Sequence, residues 1–263
     1  MRVALLQYPV VWAEVQENLR LTGIRLKEIA GKADVAVLPE MFTTGFCPNI
    51  PNMADTMDGE TLRTIRDWAK EYDLAVVGSF MCRDEGKLYN RGFFVQPDGT
   101  MDFVDKRHLY PSRGESELFT AGQERKVVSF RGAKFCLQIC YDLRFPVWSR
   151  NATGFDYDIL IYCAAWPDVK LEAWDVMLGS RCIENQCYLV AVNCVGDDNM
   201  GLHYKGHSVA YNTRLDKLAW FEDDEAGTKI ADFDIERLAH YRQVLPLWKD
   251  IDKWKMENGK LKM

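Results

Sequence analysis

Apolar residues follow two alternating rhythms along the chain. Residues 2–8 form an apolar run that reads as a strand, and after it Val15, Leu19, Thr22, Leu26 and Ile29 recur at steps of four and three, drawing a helical stripe that stops at Gly31. Asp34-Val35-Ala36-Val37-Leu38 is a short buried strand. A second helix carries Leu62, Ile65, Trp68 and Tyr72, and Leu74-Ala75-Val76-Val77-Gly78 returns to strand, so the chain opens β-α-β-α-β. Residues 88–96 and 101–105 flank a Pro97-Asp98-Gly99 turn and read as an antiparallel hairpin, which makes the sheet mixed.

The second half repeats the scheme. It predicts a strand over 134–140, a helix around 146–153, a strand over 157–162, a helix about 171–186, a strand over 188–193 and short strands near 207–211, 217–221 and 229–233. Two halves of similar order predict an α/β protein with two sheets face to face and helices outside. No Pro-, Gly- or Ser-rich linker divides them, so residues 1–245 are expected to form a single domain. The remaining 246–263 tail holds five lysines with Trp248 and Trp254. It reads either as a solvated end or as a segment docking on a partner subunit.

Composition narrows the function. With 263 residues and 33 basic against 39 acidic side chains, the formal charge is −6. Nucleic acid and anionic membrane as main partners need clustered positive charge, and no such block exists, so neither is expected and a small molecule is the default ligand. Every apolar stretch is interrupted by charge well short of a membrane span, and the N-terminal run is too short for a signal-peptide core; a cytoplasmic protein is the expectation. Eight cysteines are scattered without a Cys-x-x-Cys pair, and the four histidines carry no His-Glu-x-x-His motif. Most of the cysteines read as buried reduced thiols, and no metal or other cofactor is called for.

Three polar residues stand where strands end. Glu40 follows Val35–Leu38 and Pro39, Lys106 follows Met101–Asp105, and Cys140 closes the run Lys134–Ile139 at a strand-to-helix turn. A loop glutamate or strand-end lysine is ordinarily a solvated charge. Cys140 is sharper, because a nucleophile on such a turn is exposed at the sheet's edge with the following N–H, that of Tyr141, free to face what it attacks. Cys136, on the same strand face, reads as core.

The three residue types belong to one chemistry. A free thiol has a pKa of about 8.5, so a carboxylate such as Glu40 is one means of generating thiolate on demand. Attack on an amide puts charge on oxygen, where each preorganised donor contributes on the order of 3 kcal/mol; Lys106 and the Tyr141 N–H are the candidates. The same glutamate could then protonate departing ammonia.

Val37-Leu38-Pro39-Glu40-Met41-Phe42, Asp105-Lys106-Arg107-His108-Leu109 and the stretch from Gln138 to Pro146 resemble, in order, the three signatures of the nitrilase superfamily of carbon–nitrogen hydrolases. Trp166-Pro167, Arg181, Glu184-Asn185-Gln186, Asn193 and Gly206-His207-Ser208 extend the resemblance over nearly the whole chain. It implies a four-layer α-β-β-α sandwich with two mixed sheets, a Glu40-Lys106-Cys140 triad, a supporting glutamate at Glu115 rather than Glu117, and a homodimer. The stretch from Cys140 to Asn151 is most similar to omega-amidases, which hydrolyse the terminal amide of 2-oxoglutaramate and 2-oxosuccinamate through a thioester. The same triad could instead serve deaminated glutathione, an N-carbamoyl amine or a nitrile, or survive in a non-catalytic binding protein.

A 2-oxo acid carboxylate needs a cation, and Arg113, Arg144, Lys170 and Lys205 are the candidates. Arg144 is expected to pair with Asp142 or Glu184, and Arg181 to form a structural ion pair. Trp166 is a candidate pocket wall. His108 and His207 lack a recognisable orienting partner and read as packing residues.

Overall fold

The computed structural model describes residues 1–251, 255–257 and 260–262. Two six-stranded sheets lie face to face. The first contains β1 (Arg2–Gln7), β2 (Val35–Val37), β3 (Ala75–Asp84), β4 (Lys87–Val95), β5 (Met101–Asp105) and β14 (Gly227–Asp232), ordered β14-β1-β2-β3-β4-β5. The second contains β6 (Val127–Phe130), β7 (Ala133–Ile139), β8 (Ile159–Cys163), β9 (Tyr188–Val192), β12 (Val209–Tyr211) and β13 (Lys217–Trp220), ordered β13-β12-β9-β8-β7-β6. A separate hairpin joins β10 (Val195–Asp197) to β11 (His203–Lys205). Each sheet has three parallel central strands, β1-β2-β3 and β7-β8-β9, and antiparallel strands outside them.

Burial explains why the central strands are apolar throughout. In β1, Val3 and Leu5 face the second sheet, joining Val35, Val37, Phe135 and Ile139, while Ala4 and Leu6 face the helices with Ala36, Val76, Leu26 and Leu62. A strand covered on both faces has no solvent side to carry polar residues. Helices α1 (Val15–Glu28) and α2 (Glu60–Glu71) form one outer layer. The fully buried Leu62 and Ile65 of α2 each contribute about 2 kcal/mol of apolar burial. Helices α3 (Leu171–Asn185) and α4 (Ile235–Val244) form the other through Trp174, Leu178, Cys182 and Leu238, completing the α-β-β-α sandwich. Gly92 of β4 lets the sheets approach, because a Cβ there would lie 2.9 Å from Leu137 Cδ2.

The β-α-β-α-β opening and its repeat are as the periodicity predicts, with three differences. The helix expected near 146–153 is a 3-10 turn over Cys140–Arg144 and a single helical turn over Pro146–Ser149. Asn151 ends it by accepting the Tyr157 N–H at 3.2 Å and giving its own N–H to Asn185 Oδ1 at 2.8 Å, bonds incompatible with helix continuation. The strand after α2 runs on to Asp84 because it pairs along its length with β4. Finally, β14 (Gly227–Asp232) leaves the second half and pairs antiparallel with β1.

Of the C-terminal segment, Trp248 packs on its own chain, its N–H donating to Gln186 Oε1 at 2.8 Å and its ring under the Arg242 guanidinium at 5.4 Å. Trp254 lies outside the described residues. Among those residues, no helix is long and apolar enough to cross a membrane.

Candidate active site

Glu40, Lys106 and Cys140 meet at the seam between the sheets. β2 and β5 deliver the acid and the ammonium from the first sheet, and β7 delivers the thiol from the second. Lys106 Nζ donates to Glu40 Oε1 at 2.8 Å and to Glu115 Oε1 and Oε2 at 3.0 and 2.8 Å. Glu40 Oε2 accepts the Ala165 N–H at 2.9 Å, and the Ala165 carbonyl faces Cys140 Sγ at 4.0 Å. One residue beyond β8 thus touches both the acid and the thiol.

The backbone fixes each side chain. The Lys106 N–H donates to the Asn90 carbonyl and its own carbonyl accepts the Gly122 N–H, each at 2.9 Å. Gly122 is required there, since a Cβ would fall 2.0 Å from the Asp105 oxygen. Glu115 opens the short helix Glu115–Leu118, and its Oε2 also takes the Tyr110 N–H at 2.6 Å. Glu117 is exposed, so Glu115 is the glutamate at the site. Cys140 has φ 44°, the left-handed region that β-carbon residues rarely occupy, and the sharp turn lifts its sulfur off the strand. Tyr141 follows in the first turn of the 3-10 segment, where backbone N–H groups have no intrahelical acceptor.

Burial sets the electrostatics. The Glu40, Lys106 and Glu115 side chains are all fully buried, two carboxylates around one ammonium. Burial by itself would lower the lysine's pKa, but the charges of Glu115 and Glu40 outweigh it and hold the ammonium well above its ordinary range. Burial, then the like charge of Glu40, raises Glu115 against the pull of Lys106. The Cys140 thiol is pushed well up, by burial first and then by its charged and hydrogen-bonding neighbour Glu40, with Lys106 opposing. The resting thiol is therefore protonated at neutral pH.

Asn90 is the site residue that sequence reasoning missed. Its Nδ2 donates to Glu40 Oε1 at 2.8 Å and Glu115 Oε1 at 3.0 Å, bridging the two acids from mid-strand. An asparagine inside an otherwise strand-forming run, where it is disfavoured, was the available signal.

The thiol opens into a cavity whose wall includes Phe46, Tyr110, Tyr141, Arg144, Trp166 and Lys170. Trp166 is buried in that wall, its N–H held by Asn193 Oδ1 at 2.7 Å and its indole Nε1 donating to the Lys170 carbonyl at 2.8 Å. The four candidate cations separate clearly. Arg113 pairs with Asp198 at 2.5 Å, and Lys205 pairs with Asp223 at 2.8 Å away from the cavity. Arg144 does not pair with Asp142 or Glu184 as the sequence predicts: Arg181 occupies Glu184 at 3.1 Å and His108 occupies Asp142 at 2.8 Å. Its guanidinium lies instead 4.9 Å over the Trp166 ring, with no carboxylate partner among the described residues. The histidines do have orienting partners, contrary to expectation. His207 lies between Asp175 at 2.9 Å and Asp223 at 2.6 Å, and His108 stacks on Phe145, but neither lines the thiol's cavity.

Comparison with known proteins matches residues 2–243 to the family described as carbon–nitrogen hydrolase. An omega-amidase, YafV, of Yersinia enterocolitica is 42% identical over 97% of this chain and 98% of its own. A 2-oxoglutaramate amidase of Bacillus subtilis is 31% identical over 95% of this chain and 97% of its own. Among solved structures, a Xanthomonas campestris superfamily protein with an arsenic adduct in its active site is 33% identical, with a TM-score of 0.92 covering 98% of this chain and 99% of that one.

Proposed function

Because the chain belongs to the carbon–nitrogen hydrolase family, we propose that it cleaves the terminal amide of a small 2-oxo acid, such as 2-oxoglutaramate or 2-oxosuccinamate, through a thioester on Cys140. Glu40 takes the thiol proton as sulfur attacks the amide carbon. The resulting oxyanion is met by Lys106 Nζ and the Tyr141 N–H, a pair fixed before the substrate arrives. Glu40 returns its proton to the amine as the C–N bond breaks, and ammonia leaves. Water, deprotonated by the same carboxylate, attacks the thioester; the dicarboxylate departs and the thiol is restored. A protonated resting thiol beside a fixed carboxylate suits this cycle, in which the nucleophile is made only when needed. Glu115 and Asn90 act as positioning residues for Lys106 and Glu40.

One observation carries the substrate class: the cavity containing the thiol also contains Arg144, a guanidinium over the Trp166 ring without a carboxylate partner among the described residues. A cation so placed favours a substrate carboxylate at the end away from the amide. The omega-amidase and 2-oxoglutaramate amidase relatives support the same reading.

The test is ammonia release from a panel of 2-oxoglutaramate, 2-oxosuccinamate, deaminated glutathione, an N-carbamoyl amine and a nitrile. The 2-oxo acid amides are expected to lead by a wide margin, and Cys140→Ala to abolish turnover while remaining folded. A different leader overturns the substrate. Absence of an acyl mass on Cys140 in protein quenched during turnover overturns the thioester.

A further inference from the structure

The cavity beside Cys140 is lined by four cationic side chains, Lys106, Arg113, Arg144 and Lys170, and by no aspartate or glutamate. Lys106 is compensated by Glu40 and Glu115, and Arg113 by Asp198. Among the described residues Arg144 and Lys170 have no carboxylate partner. The carboxylate assigned above to Arg144 leaves Lys170 as a second cation in the same cavity.

Lys170 is held in place. Its Nζ donates to the Tyr110 hydroxyl and stands 4.5 Å from the centre of that ring, while its carbonyl takes the Trp166 indole N–H at 2.8 Å. The ring that carries Arg144 on its face therefore carries the Lys170 backbone on its edge. Arg144 through its guanidinium and Lys170 through its backbone are thus both fixed to one indole, and both side chains line the same cavity. Tyr110 is fixed in turn by the bond from its N–H to Glu115.

Resting on the function proposed above, we propose that Lys170 is the specificity residue that reads the carbon next to the substrate carboxylate, donating to a 2-oxo oxygen there and repelling a 2-ammonium group. A ketone oxygen accepts a charge-assisted hydrogen bond. The ammonium of a free amino acid such as glutamine, placed at the same point, meets two uncompensated positive charges and no acid to receive it.

The experiment compares 2-oxoglutaramate with glutaramate, which has the same carboxylate and amide but no 2-oxo group, and with L-glutamine, in wild type, Lys170→Met, Tyr110→Phe and Arg144→Gln. Wild type should favour 2-oxoglutaramate over glutaramate by roughly ten- to hundredfold in kcat/KM, the range of a hydrogen bond to a charged group. Lys170→Met should shrink that margin at least tenfold by losing more rate on 2-oxoglutaramate than on glutaramate, and raise the relative rate on glutamine. Tyr110→Phe should move the ratio the same way by less, and Arg144→Gln should lower both acids together. Equal losses on both acids in Lys170→Met, or no loss, overturn the assignment while the amidase reading stands. A wild-type enzyme that hydrolyses neither acid overturns both.

Discussion

Asp142 Oδ1 accepts both the backbone N–H and the Nδ1–H of His108, at 2.9 and 2.8 Å, so the turn two residues past Cys140 is tied to the loop two residues past Lys106. Its other oxygen takes the Ile139 N–H at 3.2 Å, just before the thiol. A single buried carboxylate thus joins the segments that follow β5 and β7, the strands that carry Lys106 and Cys140. Asp142→Ala strands three donors and should cost about 2–5 kcal/mol of stability. At temperatures where the variant remains folded, kcat should fall at least tenfold with little change in KM, because the change loosens geometry and touches no substrate group. Thermal melts together with steady-state kinetics check it; an unchanged kcat would detach this bond from the chemistry.

Charge balance makes a second prediction. Lys106→Met leaves Glu40 and Glu115 buried side by side without a cation, a change worth about 3–5 kcal/mol and a melting point lower by on the order of 10 °C. Adding Glu115→Gln removes one of the two negative charges and should recover part of the melting point. Activity should stay absent in the double variant. Calorimetry and ammonia release separate the two effects, and a double variant less stable than the single one contradicts the accounting.

Glu40→Gln keeps size and most hydrogen-bonding capacity but cannot take a proton. Turnover of any amide substrate should fall roughly 100- to 10,000-fold. Because the thiol is held protonated in the resting site, alkylation of Cys140 by iodoacetamide should be slow near neutrality and climb with pH without levelling off before about pH 9. Mass spectrometry of timed samples measures this, and a plateau near pH 7 would mean that the resting thiol is already ionised.

Stability should fall in alkali. Burial pushes Cys136 and Cys182 up to about 12 from 9.0, with nearby Arg125 pulling Cys136 the other way. A group whose pKa is raised on folding stabilises the native state fully below its unfolded pKa, and that contribution disappears as pH climbs towards the folded value. Each such thiol should therefore subtract about 1.4 kcal/mol per pH unit between about pH 9 and 12. Urea midpoints across that window should fall steeply, and Cys136→Ala should flatten the slope by one thiol's share whatever its effect at neutral pH.

Trp166→Leu removes the platform under Arg144 and the indole N–H that holds the Lys170 carbonyl. On the proposed function, KM for 2-oxoglutaramate should rise about tenfold or more with a smaller change in kcat, since the ring touches Arg144 and the Lys170 carbonyl rather than the reacting atoms. An unaltered KM would show that the guanidinium is positioned by something else.

Glu40, Lys106 and Cys140 stood out in the sequence because each follows a strand, the family resemblance grouped them, and the structure brings the three together. The sandwich was legible from two rounds of strand and helix. What could not be read were choices among equivalent partners. Asp142 is within local reach of Arg144, yet His108 takes it from a loop distant in sequence, and Glu184 is taken by Arg181 one turn away on its own helix. Asn90 belongs to a hairpin strand whose neighbours along the site come from three other segments. Hairpins β6-β7 and β10-β11 escaped notice because strands of three or four residues complete no clear period.

The pairing of β14 with β1 has a consequence for the order in which the protein is made. Asp232 sits opposite Arg2, so the edge of β1 is covered only after β14, far later in the chain, has left the ribosome. Until then β1 offers an unpaired backbone edge, beside the strand that leads to Glu40, to any other nascent chain nearby. Closing a contact of such long range is slow, and the half of the molecule that supplies the acid is therefore sealed late.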